Sequence, residues 1–134
     1  MVLEDIIVGR EPEDVRKYGK KGCVYIGKHI VGTGFESHMT NPILMDVTRP
    51  HVVLLAGKRG SGKSYTAAVI AEEIMELPDE IKNNLTCLMI DTMGIFWSMK
   101  SQNEKDFNIL TEWGLKPRGY PIQHIVPIGL KEFY

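Results

Sequence analysis

The chain has 134 residues, 43% hydrophobic and 25% charged, which is ordinary for a soluble globular protein of one domain, or one small module plus part of another. Its formal net charge of −1 gives no overall basic field to attract nucleic acid or a membrane surface. No segment approaches the roughly 20 apolar residues of a membrane span, and Glu4 and Asp5 break the start as no secretory signal would. A cytoplasmic protein is therefore expected. Cys23 and Cys87 lie far apart in strand-like runs with no metal or CxxC spacing, and they read as buried free thiols.

Residues 1–49 are rich in glycine and β-branched residues. Ile6-Ile7-Val8-Gly9, Cys23-Val24-Tyr25-Ile26-Gly27, Ile30-Val31-Gly32 and Ile43-Leu44-Met45-Asp46-Val47 look like short strands. Gly32-Thr33-Gly34 and Asn41-Pro42 mark loops between them. Several short strands in so little chain predict a small barrel-like or meander region.

From residue 50 to 134 the texture turns to alternating strand and helix. His51-Val52-Val53-Leu54-Leu55-Ala56 reads as a buried strand, and a helix follows over about residues 63–76 until Leu77-Pro78-Asp79 breaks it. Residues 85–91 and 122–127 read as two more strands. Helical spacing runs from Glu104 to Trp113, with Gly114 as the stop. Alternation of this kind predicts an α/β fold with a parallel sheet and right-handed crossovers.

Between the first of these strands and its helix stands Gly57-Lys58-Arg59-Gly60-Ser61-Gly62-Lys63-Ser64, the full G-x-x-x-x-G-K-[ST] pattern of a phosphate-binding loop. Glycines let successive backbone N–H groups curl toward an anion, and the helix opening at Tyr65 adds unpaired donors and the positive end of its dipole. Lys63 supplies a mobile cation for the outer phosphates, and the Ser64 hydroxyl is placed for Mg²⁺. ATP or ADP with Mg²⁺ is the expected ligand. Lys58 and Arg59 occupy the variable part of the loop and either flank the phosphates or face solvent. Thr66 falls in the helix near the base or ribose.

Asp91 ends an apolar run 28 residues after Lys63, where the carboxyl ends of parallel strands form the ligand edge of an open sheet. Two readings stand: a nucleotide-site carboxylate that holds Mg²⁺, or a cap on a short helix beginning near Met93. The four histidines make no metal pattern. Phe96, Trp97 and Met99 suit core packing or a subunit contact better than base stacking.

Taken together, Tyr25-Ile26-Gly27-Lys28, Asn41 to Asp46, Arg49-Pro50-His51-Val52, the Gly57–Ser64 loop and Leu88 to Phe96 resemble the HerA branch of the HerA/FtsK ATPases. That resemblance implies an N-terminal β-barrel ahead of a RecA-like P-loop domain, here residues 1–49 and 50–134. It implies a homo-hexameric, ATP-driven translocase or helicase on double-stranded DNA, with a NurA-type nuclease as partner. It places Lys63 and Ser64 on phosphate and Mg²⁺, and Asp91 beside the γ-phosphate or attacking water. The family's Asp-Glu pair and subunit-crossing arginine have no counterpart here, so the sequence reads as the N-terminal portion of a longer protein whose sheet is only partly present. A self-contained NTP-binding module or kinase-like phosphotransferase is the alternative.

Overall fold

The computed structural model describes residues 4–126 and divides into two compact units after Leu88. The first unit opens with β1 (Ile6–Val8), α1 (Pro12–Tyr18), β2 (Cys23–Val31) and β3 (His38–Asp46). α2 (Lys63–Glu76) and α3 (Asp79–Lys82) follow. The fold is α/β, with a three-stranded mixed sheet in the order β1-β3-β2. β1 runs parallel to β3 with Ile6 opposite Ile43, and β2 runs antiparallel to it with Cys23 opposite Asp46.

The glycine-broken pieces 23–27 and 30–32 form one strand that ends at Val31, with Gly32 beyond it. Register shifts between Tyr25 and Gly27 and between Lys28 and Ile30 bend β2 without ending it, as bulges do. Asn41 and Pro42, read as a loop start, also lie inside a strand. Pro42 faces Lys28 on one side, while pairing with β1 begins only at Ile43, so its missing N–H falls where the ladder asks for none. Closure into a barrel is not seen among the described residues.

α1 is seven residues long and held by its ends. Proline occupies the first turn with Glu13 and Asp14, and Arg16 and Lys17 sit in the last, which matches both signs of the helix dipole. α2 lies against β2, with the Glu73 carboxylate accepting the Tyr25 backbone N–H at 3.1 Å. Burial raises the Glu73 carboxyl above the usual range, opposed by the Tyr25 hydrogen bond. The buried apolar residues of this unit are Val24, Leu44, Ala71 and Leu77.

A buried ion pair closes the sheet end, and nothing in the sequence pattern announces it. Arg10 donates from Nε to Asp46 Oδ2 (3.2 Å) and from Nη2 to Asp46 Oδ1 (2.9 Å). The same guanidinium donates to the carbonyls of Gly19 (2.7 Å) and Lys21 (2.8 Å). Asp46 Oδ1 also accepts the Thr48 N–H at 2.9 Å and its hydroxyl at 2.7 Å. The two side chains are 2% and 0% exposed. Burial by itself would raise the Asp46 carboxyl, but the hydrogen bonds from Arg10 and Thr48 outweigh it and hold the group at about 2. Gly22 makes the enclosure possible, because it takes φ +75° and a Cβ there would meet the Thr48 methyl.

The second unit contains a 3₁₀ turn at Phe96–Lys100 and the short helix α4 (Phe107–Glu112). Met99 is buried, and its carbonyl accepts the Tyr120 N–H at 2.9 Å. α4 is shorter than the predicted 104–113. Asn103 accepts the Asp106 N–H (3.3 Å) and donates to the Asp106 carboxylate (3.0 Å), a local turn that competes with helix. Gly114, at φ +71°, ends it as expected.

The expected parallel sheet is not seen among the described residues. Among the described residues, 51–56, 85–91 and 122–126 have no strand ladder, and residue 127 lies outside them. Val52, Leu54, Leu88, Ile90 and Ile125 are exposed. An apolar run can become a doubly buried strand only where neighbours pair both edges and helices cover both faces. For the same reason Cys87 is exposed rather than buried. Cys23, on paired β2, is half-buried, and burial pushes its thiol up, partly opposed by Arg10. No helix among the described residues is long and apolar enough to cross a membrane.

Candidate functional site

The start of α2 and the loop before it form the candidate site. Gly60 and Gly62 take φ of +79° and +86°, a backbone path that costs a residue with a Cβ roughly 1–2 kcal/mol each. Gly62 is the N-cap, and the first intrahelical bond runs from Thr66 N to Gly62 O at 2.8 Å. The N–H groups of Lys63, Ser64 and Tyr65 precede that bond, at the positive end of a 14-residue helix. They border a shallow concavity of about 280 Å³ lined by Gly60, Ser61, Gly62, Lys63, Ser64 and Tyr65.

The Lys63 ammonium folds back over the loop, donating to the carbonyls of Gly57 at 2.9 Å and Lys58 at 2.8 Å. It thereby neutralises two oxygens that would otherwise repel an anion. The turn is held by Ser61 N donating to Lys58 O at 3.2 Å. Gly57 cannot carry a side chain without displacing Ser61, since a Cβ there would meet the Ser61 hydroxyl. Lys58 and Arg59 are exposed and do not line the concavity. Thr66 turns its hydroxyl onto the Gly62 carbonyl at 3.1 Å, which spends its donor inside the helix.

Asp91 belongs to the second unit and the loop to the first. Its Oδ1 accepts the Met93 N–H at 3.1 Å and its Oδ2 the Phe96 N–H at 2.8 Å, so the carboxylate braces the turn that leads into the 3₁₀ segment. The Phe96 N–H, followed by those of Met93, Ile95 and Gly94, holds the carboxyl below its ordinary value against some desolvation. A carboxylate so held is charged at neutral pH, whichever task it performs.

Three basic side chains near α1 are engaged by neighbours. Lys20 pairs with Asp5 at 3.1 Å, Lys21 with Glu80 at 2.7 Å, and Lys17 lies over the Tyr18 ring. What the sequence did not reveal is the interior polar chemistry, Arg10 with Asp46 and Glu73 with Tyr25, whose partners lie 36 and 48 residues apart.

These features define a small α/β protein in which a glycine loop feeds the N-terminus of a helix. Residues 24–128 match the family described as the central domain of the helicase HerA. The chain belongs to the HerA/FtsK family and forms part of an ATPase-type domain. Comparison with curated proteins and with solved structures gave no match.

Proposed function

We propose that the chain binds ATP with Mg²⁺ through Gly57–Ser64, as the nucleotide-binding part of a HerA-like, ATP-driven translocase or helicase on double-stranded DNA. The observation that carries this reading is the concavity at Gly60–Tyr65, lined by left-handed glycines and the first residues of α2, with the Lys63 ammonium held on the neighbouring loop carbonyls. Backbone donors from Gly60 to Tyr65 take the inner phosphates, and Lys63 swings from its carbonyls to the outer ones. The Ser64 hydroxyl holds Mg²⁺, which keeps most of its water and needs only one or two protein ligands beside the phosphates. Lys58 and Arg59 flank the loop's mouth, and Asp91 orients the attacking water or supports the metal.

In this reading the exposed runs 51–56 and 85–91 are inner strands of a RecA-like parallel sheet in residues 50–134, behind a barrel-like region at 1–49. The assembly is a cytoplasmic homo-hexamer, with a NurA-type nuclease as its partner. Family membership supports it.

The ligand assignment is tested by titration calorimetry with Mg·ATP. Lys63→Ala removes one charge-assisted contact worth about 1.5–3 kcal/mol, so affinity should fall roughly ten- to a hundredfold. Equal affinities for wild type and variant would refute the site.

A further inference from the structure

An exposed aromatic stands among the residues that line the concavity at the start of α2. Tyr65 follows Ser64 directly on the first turn of α2, lines the concavity and is 71% exposed. Other side chains at this end of α2 are occupied: Lys63 on the loop carbonyls, Thr66 on the Gly62 carbonyl. The remaining lining residues, Gly60, Ser61, Gly62 and Ser64, are too small to hold anything beyond the phosphates. An aromatic face left in water on a helix's first turn gains nothing from core burial, yet it is available to a planar, poorly hydrated ligand group.

We infer that the Tyr65 ring is the stacking platform for the base or ribose of the nucleotide, so that this site takes a nucleoside triphosphate rather than an inorganic polyphosphate. This deepens the phosphate-loop reading and rests on it. Tyr65 then has two separable parts. Its backbone N–H serves the phosphates whatever the side chain is, and its ring serves only the nucleoside. The ring has a π-face and needs no hydrogen bond for this role, so phenylalanine should replace it and alanine should not.

The test compares Mg·ATP with Mg·tripolyphosphate, which carries the same charged groups without a nucleoside. Both are titrated calorimetrically into the wild-type chain, Tyr65→Ala, Tyr65→Phe and Lys63→Ala. Tyr65→Ala should weaken ATP about tenfold, within the range of one lost base–aromatic stack, while tripolyphosphate affinity holds within twofold. Tyr65→Phe should keep both affinities, and Lys63→Ala should weaken both.

Equal loss of ATP and tripolyphosphate in Tyr65→Ala would overturn the stacking role, because the substitution would then act on the loop itself. Unchanged ATP affinity in Tyr65→Ala would overturn it as well. In both cases the phosphate site survives, since tripolyphosphate still binds the wild type and depends on Lys63. If the wild type binds neither probe, or if Lys63→Ala affects neither, the phosphate-loop reading falls first and the stacking inference falls with it.

Discussion

Asp46→Ala should destabilise the first unit by about 3 kcal/mol, the low end for breaking a buried pair from one side. The loss is not that of one contact. Removing the carboxylate leaves the Arg10 guanidinium, 2% exposed, with only the Gly19 and Lys21 carbonyls. It also strips the Thr48 N–H and hydroxyl of their shared acceptor. Buried donors without acceptors carry the desolvation cost in full. Replacing both partners with apolar residues, Arg10→Met with Asp46→Leu, should recover much of the loss, since the charge left behind causes most of it. Urea unfolding measures this as a lower midpoint with an unchanged slope. A midpoint equal to wild type in Asp46→Ala would show that the pair contributes nothing.

The same carboxylate sets an acid limit. Its folded pKa of about 2 lies below the ordinary 3.8, so the folded state favours the charged form. That contribution, about 2 kcal/mol, is fully present above about pH 4 and is lost as the pH falls through 2. Asp46→Asn should flatten this part of the stability profile. An acid arm identical in wild type and Asp46→Asn would contradict the assignment.

In the assembled, active ATPase, Asp91→Asn should lower ATP turnover by roughly 10² or more if the carboxylate serves the attacking water, with Mg·ATP affinity kept within a few-fold. The substitution is close in shape, and the amide oxygen can still accept one of the two backbone bonds, so the turn at Met93–Phe96 should largely persist. A cap without a catalytic task would behave differently. Turnover would then stay normal, and the change would surface as faster amide exchange at Met93 and Phe96. Steady-state ATPase rates with duplex DNA, together with exchange at those two amides, separate the outcomes. Normal turnover in Asp91→Asn would retire the catalytic role.

How far the sequence could be read depended on the range of the interactions. The phosphate-loop pattern, the helix from Lys63 to Glu76 and its break at Pro78 were legible because each is decided within a few residues. Glycine φ, proline's missing donor and the first turn of a helix are local matters. The β character of residues 6–8, 23–27, 30–31 and 43–46 was legible for the same reason. The strand ends were not, because bulges at Ile26 and His29 depend on the register with β3.

The runs at 51–56 and 85–91 show the opposite limit. Their composition is that of buried strands, but a strand is a relation between two segments, and composition does not supply the partner. Asp91 was read with both of its roles open, and the structure accounts for the backbone bracing alone.

By itself, then, the sequence determined the phosphate-loop motif, the helix that carries it and the kinship to HerA, each of which rests on short local segments. Only the tertiary structure decided that Arg10 meets Asp46, that Glu73 takes the Tyr25 N–H, and that Tyr65 stands exposed where Thr66 turns inward. Those outcomes turn on which backbone groups are left unpaired once the chain has closed on itself. Residues 36 and 48 positions apart meet only through β3 and α2, a distance over which no local propensity acts.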